Sequence, residues 1–117
     1  MLTSIEWLSV LKSKICAQSD YAVSKILGVS TGTVSSYRTR KTFLDQNICN
    51  LVAELIEIDA KYLYISTHYE RSHSKEEKEV WLRLWEDVGG AQLEENIRKN
   101  LDVKWLQPAV RFVRTYA

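Results

Sequence analysis

Apolar residues recur along this chain at helical spacing, in short blocks separated by Ser, Thr, Asp and Gly. Ile5, Leu8, Leu11 and Ile15 make the first stripe, and Thr3-Ser-Ile-Glu6 ahead of them reads as a capping box, so a helix is predicted to about Ala17. Ser19 is placed to cap a second helix, Asp20 to Leu27, that turns Val23, Ile26 and Leu27 inward. Gly28 stops it, and Val29 plugs the turn. Ser30 caps a third helix, Thr31 to Arg38, with Val34 and Tyr37 on its inner face. A fourth begins near Asp45 and carries Ile48, Leu51, Val52, Leu55 and Ile56; a fifth follows Asp59, anchored by Leu63, and reaches His68 or beyond. Ser74-Lys-Glu-Glu77 is a second capping box, opening a helix with Val80, Trp81, Leu84, Trp85 and Val88 on one stripe and Gly89-Gly90 at its end. Gln92 to Asn100 then sets Leu93, Ile97 and Leu101 one turn apart. Past Pro108, the positions of Val110, Phe112, Val113 and Tyr116 fit neither period, which leaves a short terminal strand or a short helix. The pattern predicts an all-α fold of five helices over residues 1–70 and a C-terminal helical extension over 71–117, divided where polar residues cluster at Glu70 to Ser74.

The stretch from Ser19 to Lys41 carries the clearest chemistry. Two short helices meet at a glycine that favours positive φ. The outer face of the second is small and polar: Thr31, Gly32, Ser35 and Ser36. Ser and Thr are poor helix formers on a merely solvated face, where Ala, Glu or Lys are more stable. They do exchange hydrogen bonds with base edges, and glycine lets the backbone come near, so these four are the candidate base contacts in a DNA major groove. Arg38, Arg40 and Lys41 follow directly. With Ser19, Tyr37 and Thr39 they form the candidate phosphate contacts.

These residues resemble the helix-turn-helix of Cro and phage-repressor type proteins. The resemblance runs from about Ile5 to Tyr64, where LVAELIEIDAKYLY is similar to the fourth and fifth helices of that fold. A wider stretch, Ser19 to Trp85, is similar to a phage-related family of small repressor-like proteins: SDYAVSKILGVS, VSSYR, the Glu70–Arg71 pair and an acidic helix carrying Trp81. The resemblance implies a five-helix repressor-like DNA-binding domain acting on a palindromic operator as a homodimer. Ser24 stands where that family usually has a small Ala, and the recognition helix has no long Gln or Arg on its base-facing side.

The net charge is only +1, but its distribution favours the same reading. Residues 1–44 hold six Lys/Arg against Glu6 and Asp20; residues 45–97 hold five against twelve Asp/Glu; residues 98–117 hold five against Asp102 alone. Positive charge therefore gathers at the motif and in the tail, and phosphate attraction follows the local field. No apolar run approaches a membrane span, and no secretory signal is recognised, so a cytoplasmic protein associated with the nucleoid of a bacterial host is expected, with no membrane partner. Cys16 and Cys49 lie among apolar neighbours and are expected as buried thiols. His68 and His73 are five apart without a third ligand, so no metal or cofactor is expected.

The Trp81, Leu84, Trp85 stripe lies beyond the five-helix unit and needs an apolar cover. With Val110 and Phe112 it is the expected dimerisation surface. The acids of that helix, Glu76, Glu77, Glu79, Glu86 and Asp87, read as a solvated face, and no nucleophile, base and acid converge, so no catalysis is expected. The competing reading is an antitoxin-like or antirepressor-like interaction module that keeps the fold. Any induction is expected to work through another protein, such as a protein antirepressor, or through simple competition.

Overall fold

The starts of the first six helices are each set by a local hydrogen bond from a capping side chain. In the computed structural model, which describes residues 1–105, the helices are α1 (Ser4–Ile15), α2 (Asp20–Leu27), α3 (Thr31–Arg38), α4 (Gln46–Ile56), α5 (Ala60–Arg71), α6 (Lys75–Asp87) and α7 (Gly90–Trp105). Among the described residues there is no strand, so the architecture is all-α. The expected terminal strand and the residues after Pro108 lie outside the described residues. Thr3, Ser19, Ser30, Asp45, Asp59 and Ser74 each accept a backbone N–H of the first turn that would otherwise lack a partner. Thr3 and Glu6 complete the reciprocal box. At Ser74 only half forms: its hydroxyl accepts from the Glu77 N–H and donates to the Glu76 carboxylate at 3.1 Å.

Four helices end the same way, with one residue in the left-handed region and a bond spanning five residues behind it. The left-handed residues are Cys16 (φ 58°), Gly28 (φ 70°), Arg40 (φ 61°) and Glu57 (φ 60°). The bonds run from Ala17 N–H to Lys12 O, Val29 to Ser24, Lys41 to Ser36, and Ile58 to Ala53. Cys16 is therefore not a buried helical thiol: it closes α1 and is exposed, whereas Cys49 is buried.

One apolar core runs through the described residues. Trp7, Leu8 and Leu11 of α1 meet Val23 and Leu27 of α2, Val34 and Tyr37 of α3, Val52 and Ile56 of α4, and Leu63 of α5. Ile26, expected to point inward, is 43% exposed. Val23 and Leu27 are a full turn apart and define the buried line of α2, and Ile26 is rotated about 100° from Leu27. Polar groups at depth are paired. The Trp7 indole N–H donates to Ser66 Oγ at 2.7 Å. Ser4 Oγ donates to Glu70 at 2.7 Å and accepts from the Leu44 N–H at 3.1 Å, joining the start of α1, the end of α5 and the chain before α4.

The helices beyond Ser74 belong to the same core. Trp85 is 2% exposed, packed edge-on to Tyr62 (ring centroids 5.8 Å apart) and against Gly90. Tyr62 also donates its hydroxyl to the Val88 carbonyl at 2.9 Å. From α7, Ile97 is buried and Leu93 packs against the core. Arg98 bridges Glu94 on its own helix and Glu6 on α1, each at 2.8 Å. The expected division at 70/71 falls inside the last turn of α5, ahead of the link formed by Ser72, His73 and Ser74. α7 starts two residues before the sequence pattern places it and runs further, to Trp105.

Candidate nucleic-acid interface

The turn between α2 and α3 is built by backbone geometry and closed by side chains. Gly28 takes the left-handed conformation, and a Cβ there would meet nothing within 4 Å, so its requirement is conformational. Val29 is half-buried beneath the turn. Ser30 Oγ accepts from the Thr33 N–H at 3.0 Å and pairs with Thr33 Oγ1 at 2.9 Å, which starts α3 at a defined angle. Val34 and Tyr37 then hold α3 against α1 and α2.

This packing leaves Thr31, Gly32 and Ser35 exposed along one ridge of α3, with Ser36 half-buried at its edge. The Ser36 hydroxyl donates to the Gly32 carbonyl at 3.0 Å and keeps its acceptor lone pairs. Gly32 has an ordinary helical backbone, and a Cβ there would meet only Ser30 Oγ at 3.6 Å. Alanine therefore fits, and glycine at this point costs the isolated helix about 1 kcal/mol for no internal gain.

The cationic shoulder divides into two parts. Arg38 lies in a three-way bridge: its guanidinium donates to both Asp20 oxygens at 2.9 and 3.0 Å, and Lys12 reaches Asp20 at 2.7 Å. Burial pushes the Asp20 carboxyl up, but Lys12 and Arg38 outweigh it and hold it below its ordinary range. The bridge pins α1, the start of α2 and the end of α3 together, with a net charge of +1 shared over three side chains. Arg40 and Lys41 differ: both are exposed, and neither has an ion-pair partner among the described residues. Thr39 is exposed, its hydroxyl turned back to the Ser35 carbonyl at 3.2 Å. Ser19 is exposed but spends an acceptor on the Ala22 N–H.

Two expected site residues, Tyr37 and Trp85, are placed differently by the packing. Tyr37 is 3% exposed, so its ring is core and not a phosphate contact; burial, then the Asp45 charge, push its hydroxyl up. Trp85 is covered within its own chain and is not free for a second copy. Trp81 is half-buried, stacked on His68 with centroids 4.7 Å apart, while Leu84 is 39% exposed. Val110 and Phe112 lie outside the described residues. Sequence reasoning passes over Asp20 as the partner of Arg38, because the two are 18 positions apart and no local period links them. It also passes over Tyr21, 60% exposed on α2 with the Lys25 ammonium 5.2 Å from its ring centroid. No described helix is long and apolar enough to cross a membrane.

Comparison of the chain with family models, with curated proteins and with solved structures finds no match.

Proposed function

We propose that this chain is a sequence-specific DNA-binding transcriptional regulator of the phage-repressor type, acting without a catalytic step. One observation carries the reading: an exposed ridge of small hydrogen-bonding side chains on α3, with a glycine that the fold itself does not need, stands beside two cations with no ion-pair partner among the described residues. In this reading Thr31, Gly32, Ser35 and Ser36 approach base edges in the major groove, and Arg40 and Lys41 hold phosphates. Arg38 acts through its bridge to Asp20, as the strut that sets the angle of α3. Two copies on a partly palindromic operator double the contact at fixed spacing, and the surface that joins them does not include Trp85. Such a protein works at the host nucleoid.

The second reading, an antitoxin-like or antirepressor-like interaction module, draws on the exposed Ile26 of α2, an apolar side chain that a phosphate backbone does not use. A salt series on a random-sequence duplex separates the two, followed by fluorescence anisotropy. Each phosphate neutralised contributes a slope of about −0.9 in log K against log salt. Two cations from each of two copies give a slope of about −3 to −4. Absent binding at low salt, or affinity indifferent to salt, rejects the DNA reading and favours the interaction module.

A further inference from the structure

An open groove of about 610 Å³ lies between α4, α5 and α6, and neither α2 nor α3 contributes a wall. Its body is apolar: Leu44 and Ile65 on one side, Trp81, Leu84 and Val88 on the other. The His68 imidazole lies nearly parallel to the Trp81 ring, 12° between planes, which makes one wall flat. The volume falls within the range of about 300–1,000 Å³ usual for small-molecule sites.

The charges at the groove are one-sided. Residues 45–97 carry twelve Asp/Glu against five Lys/Arg, yet the groove is lined by Lys61, His68 and Arg71 and by no carboxylate. Arg71 is held in place: its Nη2 donates to the Leu44 carbonyl at 2.6 Å, and no described carboxylate pairs with it. A guanidinium has five donors in a planar fork, so most of its capacity is left over. Lys61 stands at the other end of α5, about 15 Å away along the helix. A fixed fork that matches carboxylate geometry, beside an apolar trough with no acid of its own, calls for a ligand with an apolar body and one anionic head.

We propose that this groove binds a small amphipathic carboxylate, its hydrocarbon body against Trp81, Leu84 and Ile65 and its head on Arg71. The site is independent of the DNA reading and stands or falls by itself.

The test uses the full chain, labelled with ¹⁵N and titrated with sodium octanoate and, separately, with 1-octanol of the same chain length. Octanoate is expected to give saturable shifts confined to the amides around Ile65, Trp81, Leu84 and Val88. Octanol is expected to bind the same place about tenfold more weakly, for want of the charge-assisted pair. Arg71→Gln brings octanoate down to the affinity of octanol and leaves octanol unchanged. Because Arg71 also tethers Leu44, Leu84→Gln on the exposed wall serves as a second variant: it weakens both ligands together and leaves the Tm unchanged. Equal affinity for the two ligands, shifts that spread over all helices without saturating, or no shift at millimolar ligand overturns the assignment. Shifts of the same amides with protein concentration alone place a second copy in the groove, and overturn it too.

Discussion

Arg40 occupies the left-handed position that closes α3, at φ 61°. Gly28 fills the equivalent place behind α2, where glycine adopts that backbone without steric cost. For a side chain bearing a Cβ, the same conformation costs about 1–2 kcal/mol. Cys16 and Glu57 carry the same strain at the ends of α1 and α4, so the conformation alone does not mark a functional residue. Arg40 is set apart because its charge is exposed at the end of the polar ridge, with no ion-pair partner among the described residues. Arg40→Gly is therefore expected to stabilise the fold by up to about 1 kcal/mol, the relieved strain being partly offset by unfolded-chain entropy. The same change lowers duplex affinity alike for all sequences, as loss of a phosphate contact does. Glu57→Gly supplies the control, with a gain in stability reduced by loss of its exposed 2.9 Å pair to Lys14 and with no loss of DNA affinity. Denaturant melts and anisotropy on the two variants check this, and an Arg40→Gly protein with wild-type DNA affinity removes Arg40 from the interface.

α6 shows how an element's face is assigned. Its stripe of Val80, Trp81, Leu84, Trp85 and Val88 is legible from spacing, but spacing does not say what the stripe meets. In the fold Trp85 and Val88 turn toward α5, where Tyr62 contacts both, and Val80, 56% exposed, turns away. Gly90 makes this possible: a Cβ there would fall inside the Trp85 ring, so the start of α7 passes close only because it has none. Trp85→Ala is expected to cost about 3–5 kcal/mol, the usual price of deleting a buried aromatic, whereas Val80→Ser stays within about 0.5 kcal/mol. Urea titrations of both decide whether α6 is part of one cooperative unit. A Trp85→Ala protein with an unchanged midpoint and impaired self-association would return Trp85 to an interface role.

At the scale of the molecule, ion pairs join segments that are distant in sequence. Arg98 links α7 to Glu6 of α1, and the Met1 amino group meets Glu94 at 3.0 Å. For Glu6, burial pushes the carboxyl up, but Arg98 and Thr3 outweigh it; for Glu94, burial is outweighed by the Met1 amino group and Arg98. Both end below their ordinary value of 4.5, as Asp20 ends below 3.8. A carboxyl lowered in the folded state binds fewer protons there than when unfolded, so stability rises with pH across the interval between the two values. The contribution is complete above the unfolded values and is lost as pH falls through the folded ones. The Tm is therefore expected to be level down to about pH 5 and to fall below about pH 4. Glu6→Gln lowers the Tm at neutral pH and shallows the acid decline. Calorimetry from pH 7 to pH 2.5 checks it, and an identical decline in Glu6→Gln would detach these pairs from acid stability.

The first six helices and their starting residues were legible in the sequence because capping bonds and helical periodicity act over three to five positions. Thr3, Ser19, Ser30, Asp45, Asp59 and Ser74 each announce a helix through neighbours close in the chain. The polar ridge of Thr31, Gly32 and Ser35 was legible for the same reason, since an outward face follows once Val34 is assigned inward. Tertiary packing alone decided the rest. Burial of Tyr37, exposure of Ile26, the Asp20 bridge to Arg38 and the covering of Trp85 all depend on partners far away in sequence. So does the groove of Lys61, His68 and Arg71, whose acid-free lining exists only where three helices meet. Hydrogen bonds within a turn are dictated by adjacent residues, whereas removal of apolar surface from water is satisfied by any neighbour the fold brings up, and only the assembled core determines which one that is.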